Sequence, residues 1–194
     1  MSNISSYKKL DTHGLRTLDI FYQAFNELLK ERHYRYIKVQ DITNKASLNR
    51  ATFYNHFENK NDFIFYCTRV GFRRDVEAKF SSSEFSYNAQ NLSILIHWIL
   101  KYVAGVFNEW HIKWDELLFE SATKIEFYYY LVDWMSTLQD QATDSHPIVD
   151  TYAMVLSSSI IGFAMTWCHN GCKEPIDEIS ERITAIFTNG LPCL

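Results

Sequence analysis

Apolar residues recur every three or four positions along most of the chain, and no segment of useful length alternates apolar with polar residues as a half-buried strand does. In residues 12–32, for example, Leu18, Phe21, Phe25 and Leu28 fall on one side of a helix. Because 47% of the 194 residues are hydrophobic, the chain can bury a substantial core. The sequence therefore predicts an all-α fold.

Two short helices are expected after this first one. Val39, Ile42 and Ala46 repeat the helical spacing, and a three-residue break then separates them from a helix that runs from Asn49, a good N-cap, to Phe57. Two short helices joined in this way make a helix-turn-helix, whose second member enters the DNA major groove. The alternative is a helical hairpin that serves only for packing.

The outer face of the second short helix suits a base edge better than water. Ala51 is small enough to let the helix approach the groove floor, and Thr52 and Asn55 can hydrogen-bond to bases. Other positions suit phosphates, including Lys60 at the start of the following helix. The predicted DNA-contacting set is Lys38, Gln40, Asn49, Arg50, Ala51, Thr52, Tyr54, Asn55, His56 and Lys60.

Charge is distributed unevenly along the chain. Residues 1–75 hold thirteen Lys and Arg against eight Asp and Glu, a net +5, whereas the remainder has a net −9. A basic part joined to an acidic part fits contact with a polyanion at one end and with an unrelated partner at the other. Uneven solvation of two domains would give the same pattern.

Residues 17–66 resemble the DNA-binding domain of the tetracycline-repressor (TetR) family of bacterial transcriptional regulators. The resemblance is clearest in "VQDITNKASLNRATFYNHFENK", where Thr-Phe-Tyr-x-His-Phe-x-x-Lys occupies positions 52–60 after Ile42 and Ala46. More weakly, residues 160–179 resemble the end of the ligand-binding domain in one subgroup. The resemblance implies a helix-turn-helix domain over residues 1–66, a helical regulatory and dimerisation domain over 67–194, and a homodimer on a nearly palindromic double-stranded DNA operator.

Two positions depart from the family pattern. Ser47, in the turn after the second helix, and His33, after the first, stand where the family commonly has glycine. We expect both positions to need a left-handed backbone, which costs a non-glycine residue on the order of 1 kcal/mol. A different backbone conformation at these positions would change the tilt of the second short helix, and with it the base contacts.

Aromatic residues are dense in the second part, where they can line an effector cavity or fill a core. With the net −9 charge, a cavity there would suit a small apolar or cationic effector better than an anionic one. The candidate ligand-binding residues are Trp98, Tyr102, Phe107, Trp110, Trp134, Phe163 and Trp167.

The resemblance also implies a dimer interface formed by the last two long helices, at about residues 148–169 and 175–188. The first of these is apolar on most sides. The residues predicted to pack between subunits are Ala153, Leu156, Ser157, Ile160, Ile161, Ala164 and Trp167.

Other chemistry has little support in the sequence. No nucleophile elbow, phosphate loop or carboxylate pair stands out, so we expect neither an enzyme nor a cofactor. Cys168, His169 and Cys172 could supply three zinc ligands, but no fourth is evident, and no metal is expected.

The start of the chain lacks a signal-peptide pattern, no membrane span is convincing, and the four cysteines suit a reducing cytoplasm. We therefore expect a cytoplasmic, sequence-specific DNA-binding regulator that represses transcription and responds to a ligand. The main alternative is a regulator of the same fold whose second domain binds another protein.

Overall fold

A computed structural model describes residues 12–81, 85–110, 115–136 and 146–190, apart from the side chains of residues 12, 13, 109, 110 and 146. These residues are helical with no strand, so the predicted all-α class is confirmed. The helices are α1 (Thr12–Glu31), a 3-10 turn (Tyr34–Tyr36), α2 (Val39–Lys45), α3 (Arg50–Tyr54), α4 (Lys60–Phe80), α5 (Ala89–Trp110), α6 (Glu116–Ser136), α7 (His146–His169) and α8 (Ile176–Asn189).

The described residues form two compact units. The first contains those up to Cys67 together with 115–118, and the second contains the rest. The domain boundary between residues 66 and 67 stays a prediction.

An aromatic core holds the first unit together. Phe63 of α4 contacts Phe25 of α1 at 5.2 Å between ring centroids, Phe53 of α3 at 5.3 Å and Phe57 at 5.0 Å, and these four rings are at most 1% exposed. Phe21 of α1 also meets Phe53 edge-on at 5.5 Å. Such pairs contribute about 0.5–1.5 kcal/mol each beyond the area they bury. The five-residue α3, far too short to be stable alone, is therefore anchored by Phe53.

The second unit is built around α5, which packs against both α7 and α8. Its fully buried Ile96, Ile99 and Val103 belong to the same core as Ile160 of α7 and Ile179 of α8. Helix α7 is long and apolar enough to cross a membrane by composition alone. Since α7 contributes many buried side chains to this core, its composition is that of a core helix in a globular unit.

The residues predicted to form the dimer interface are buried within the single chain. They lie in the core of their own chain, and a side chain without exposed surface offers nothing to a second copy. The predicted interface residues are exposed by 0% at Ala153, Leu156, Ile160, Ile161 and Ala164, by 2% at Ser157 and by 8% at Trp167. The exposed apolar residues of α7 include Met154, Val155 and Phe163.

An ion-pair network in the second unit has a buried pair at its centre. Arg69 of α4 donates from Nε to Oε2 of Glu126 of α6 over 2.9 Å, and the two residues are 2% and 4% exposed. Arg73 reaches Oδ2 of Asp133 at 2.6 Å and also pairs with Glu77. Two of the thirteen basic side chains counted in residues 1–75 are thus neutralised within the second unit, and the net +5 overstates the charge available to a polyanion.

Candidate nucleic-acid interface

A left-handed residue sets the angle between α2 and α3. Ser47 has φ 55°, its N–H donates to the carbonyl of Asn44 over 3.1 Å, and the N–H of Leu48 donates to the carbonyl of Thr43 over 2.9 Å. These two bonds define a Schellman motif, which normally places glycine at the left-handed position. The expectation for Ser47 is confirmed.

The expectation for His33 is wrong. This residue is extended, with φ −61° and ψ 141°, because it serves as the N-cap of the 3-10 turn, where its Nδ1 accepts a 3.0 Å hydrogen bond from the N–H of Arg35. The chain leaves α1 through this cap and not through a left-handed residue.

Asn49 is the N-cap of α3, as predicted. Its Oδ1 accepts hydrogen bonds from the backbone N–H of Thr52 over 2.7 Å and from the Thr52 hydroxyl over 3.0 Å. The cap fixes where the helix begins and satisfies one of its free N–H groups. The Thr52 hydroxyl donates its proton to Asn49, so toward a DNA base its oxygen can only accept a hydrogen bond. Its partner would be an amino group of the base.

The exposed face of α3 consists of Arg50, Ala51, Tyr54 and Asn55, with the side chain of Thr52 half-buried at its edge. Arg50 donates from Nη2 to the Tyr54 hydroxyl over 3.3 Å and lies 5.7 Å from the centroid of its ring. This contact one turn apart preorders two long side chains before any partner binds. The predicted recognition residues are thus brought together on one short, anchored helix.

Lys60 has a role that the sequence did not indicate. Its ammonium donates to the carbonyl oxygens of Tyr34 over 3.0 Å and Ile37 over 3.1 Å, and it lies 5.2 Å from the centroid of the Tyr34 ring. Burial lowers the pKa of this ammonium. Two of its three N–H donors hold the 3-10 turn against the start of α4, so one remains for a phosphate.

The other predicted contacts lie around the two short helices. Lys38 and Gln40 are exposed at the start of α2, where the N–H of Lys38 donates to Oδ2 of Asp41 over 2.7 Å and Gln40 Nε2 donates to Asn44 Oδ1 over 2.8 Å. His56 is half-buried after α3, and burial lowers the pKa of its imidazole. A phosphate near a largely neutral His56 would raise that pKa, so DNA binding through this residue would take up a proton.

Tyr36 is exposed by 73% in the 3-10 turn, beside the exposed Arg35. It was missed because the turn has no helical period, although the run "ERHYRY" of basic and aromatic residues was a signal. A phenol and a guanidinium in such a turn can both donate to phosphate oxygens.

Five of the seven candidate ligand-binding residues lie in or against the core of the second unit: Trp98, Tyr102, Phe107, Trp134 and Trp167. Trp98 and Tyr102 stack at 5.3 Å between centroids within the core of the second unit, and the indole N–H of Trp134 donates to the carbonyl of Phe85 over 2.5 Å. Phe107 contacts His169 edge-on at 5.1 Å.

Trp167, near the end of α7, also belongs to this core. Trp167 donates from Nε1 to the carbonyl of Glu174 over 3.2 Å near the end of α7. Phe163 is 38% exposed and is not part of the core cluster, and the side chain of Trp110 is outside the described part.

One buried polar atom is notable in this unit: the hydroxyl of Thr123, on the buried face of α6, has no hydrogen-bond partner among the described residues.

Comparison with known proteins identifies the N-terminal part. Residues 23–67 match the family model described as bacterial regulatory proteins, tetR family. The uncharacterized HTH-type transcriptional regulator YxbF of Bacillus subtilis is 38% identical over 58 residues, which are 29% of this chain and 15% of that protein. DhaS of Lactococcus lactis, named an HTH-type transcriptional activator of the dhaKLM operon, is 30% identical over 80 residues, 41% of each chain.

The chain thus spans less than half the length of these two curated relatives. Among solved structures, the fatty acid degradation regulator FadR of Bacillus halodurans superposes with a TM-score of 0.50 at 14% identity, covering 90% of this chain and 99% of that one. At this identity the likeness concerns the fold alone. Residues 23–67 of the chain are therefore similar to the N-terminal domain of the tetR family of bacterial regulatory proteins.

Proposed function

We propose that this protein is a cytoplasmic, sequence-specific DNA-binding regulator of transcription, with recognition in residues 1–66 and regulation and dimerisation in residues 67–194. The observation that carries the proposal is α3: a helix of five residues that is capped by Asn49, anchored by the fully buried Phe53, and exposes Ala51 and Asn55. A helix that served only for packing would have no need of an outer face that combines a small residue with an amide. The major groove does need one.

The side chains divide into two kinds of contact. Asn55 and Thr52 read base edges, while Ala51 permits the close approach that this reading requires. Arg50 and Tyr54 reach bases or phosphates as a preordered pair. The basic and aromatic residues around the 3-10 turn and α2 contact the phosphates of the DNA backbone. Phosphate contacts set the affinity and its salt dependence, and base contacts set the sequence preference.

The test begins with selection of bound duplexes from a random library by the full-length protein, followed by anisotropy titration of the selected duplex. Asn55→Ala should lower affinity for the selected duplex by about 1–3 kcal/mol and leave affinity for unrelated duplexes unchanged. Gln90→Ala is the matched control, because it removes an exposed amide from α5 in the second unit. Failure to select any motif, or equal effects of the two variants, would reject the proposal.

We further propose that the protein binds a nearly palindromic operator as a homodimer, since one five-residue helix makes few contacts and a two-fold pair doubles them. Because the residues first predicted are buried, the surface that we propose consists of exposed Met154, Val155 and Phe163 of α7 and Ile186 of α8. Sedimentation should give a dimer at micromolar concentration, and Val155→Glu a monomer with weakened operator binding. A wild-type monomer with full operator affinity would contradict this.

Regulation by a small apolar or cationic effector is a further part of the proposal. Its support is the Thr123 hydroxyl, a fully buried donor without a partner in the part of the chain that the structure describes, placed one helical turn from Phe119 and from Phe127. An unpaired buried hydroxyl costs about 1–3 kcal/mol, and a bound ligand that forms a hydrogen bond with this hydroxyl would recover that free energy. Lipophilic amines and neutral aromatics should change operator affinity of the wild type and act more weakly on Thr123→Val.

Repression is proposed as the direction of control, because a protein that occupies an operator blocks transcription without any further contact. A reporter gene placed behind the selected operator decides this point. Expression should fall when the wild-type protein is supplied and stay unchanged with a DNA-binding variant. A rise would make the protein an activator, as the name of the Lactococcus lactis relative states for that protein.

A further inference from the structure

Helix α7 ends in a turn that folds the chain back over the last turn of the helix. The N–H of Gly171 donates to the carbonyl of Cys168 over 2.9 Å, and the N–H of Cys172 donates to the carbonyl of Trp167 over 3.0 Å, the two bonds of a Schellman motif. Gly171 and Cys172 have φ 80° and 51°. A left-handed cysteine is uncommon, so the turn holds Cys172 in a conformation that its own backbone preference disfavours.

The consequence of this turn is that two thiols meet. Cys168 lies in the last turn of α7 and Cys172 four residues later, in the turn that folds back over it, and both residues are free cysteines. Cys168 is only 3% exposed, whereas Cys172 is half-buried and can be reached from solvent. Burial, reinforced by the neighbouring Cys172, raises the pKa of the Cys168 thiol to about 12. Cys168 is thus a protected, protonated thiol lying against an accessible one.

The surrounding contacts keep this pair in place. The indole of Trp167 donates to the carbonyl of Glu174 on the far side of the turn over 3.2 Å, and His169 contacts the ring of Phe107. Among the residues that the structure describes, no three His, Cys, Asp or Glu side chains form a group that could hold a metal ion. The geometry therefore favours chemistry that needs two sulfurs and nothing more.

We propose that Cys168 and Cys172 are a reversible redox pair, which a hydroperoxide oxidises to an intramolecular disulfide at the end of α7. Cys172, as its thiolate, attacks the terminal oxygen of the hydroperoxide; the O–O bond breaks, leaving a sulfenic acid on Cys172 and an alkoxide that takes a proton to become an alcohol. The sulfur of Cys168 then attacks the sulfur of Cys172. The S–S bond forms as the S–O bond breaks, and hydroxide leaves with the Cys168 proton as water.

The electrons balance in this sequence. The two thiols lose two electrons in total, and the peroxide oxygens gain them, giving one alcohol and one water. The raised pKa of Cys168 makes this buried thiol slow to react with peroxide, so Cys172 is the thiol that peroxide oxidises first. A dithiol reductant reverses the reaction by exchange.

Peptide mass spectrometry of the full chain tests the proposal directly. After treatment with hydrogen peroxide, the protein is alkylated in denaturant and digested with trypsin, which cleaves after Lys124 and Lys173. The resulting peptide 125–173 contains Cys168 and Cys172 and no other cysteine. We expect this peptide to lose two hydrogen atoms and take up no alkyl group, and dithiothreitol to restore two alkylation sites.

Variants assign the roles of the two sulfurs. Cys168→Ser should leave a sulfenic acid on Cys172 that dimedone traps, Cys172→Ser should leave Cys168 alkylatable after peroxide, and Cys67→Ser, which removes a buried cysteine elsewhere, should not change the yield of disulfide. Two alkyl groups on the wild-type peptide after peroxide, or a disulfide that joins Cys172 to another chain, would overturn the proposal. No DNA is present in this test, so its outcome is independent of operator binding.

Discussion

Replacing Lys60 with methionine removes an ammonium and keeps most of the aliphatic side chain, so it isolates the contacts to the carbonyls of Tyr34 and Ile37. Hydrogen bonds that involve a charged group contribute about 1.5–3 kcal/mol each. Lys60 is only half-buried, and water can partly replace the ammonium at both carbonyls. We therefore expect Lys60→Met to lower the free energy of unfolding by about 1.5–3 kcal/mol in total, the contribution of one such bond.

Urea denaturation followed by circular dichroism measures this loss, and hydrogen exchange of peptides spanning residues 34–57 locates it. The control is Lys30→Met, which removes an exposed lysine from the last turn of α1 and should cost no more than about 0.5 kcal/mol. The competing interpretation treats Lys60 as a phosphate contact alone. It requires unchanged unfolding and exchange and a salt slope smaller by about one. Wild-type stability of Lys60→Met would refute a structural role for this ammonium.

Three further predictions concern stability and are checked by the same denaturation measurements. Glu126→Leu and Arg69→Met should each destabilise by about 3–5 kcal/mol, because each leaves one charge buried, and the double variant should cost less than either. Thr123→Val should stabilise the ligand-free protein by about 1 kcal/mol, since it removes a hydroxyl that lacks a partner within the described residues. Burial lowers the pKa of His56, so its contribution to stability is present above about pH 6.5 and lost as pH falls through the folded pKa; His56→Gln should flatten this decline.

The first unit followed closely from the sequence because its signals are local. The apolar period predicted α1, and Asn49 marked the start of α3. The three-residue break before α3 predicted a turn, and the structure has left-handed Ser47 in that turn. The end of α1 could not be derived in this way. His33 was expected to be left-handed, but its imidazole caps the 3-10 turn, a side-chain contact that no period or propensity reports.

The sides of α7 could not be assigned from the sequence. This helix is apolar all round, so periodicity does not show which residues face the core of the chain and which face outward. Only packing against α5 decides that Ile160 is buried and that Val155 is exposed. The role of Lys60 also depends on tertiary contacts, because the two carbonyls that its ammonium contacts lie more than twenty residues away along the chain.

The central claim is that the outer face of α3 enters a DNA groove, and Ala51→Leu tests it most directly. Ala51 is exposed and leucine is a good helix former, so the variant should fold with wild-type stability while its longer side chain holds the helix away from the bases. Anisotropy titration with the selected duplex should show affinity reduced at least tenfold, about 1.4 kcal/mol. A stable Ala51→Leu protein that binds this duplex with wild-type affinity and sequence preference would contradict the claim.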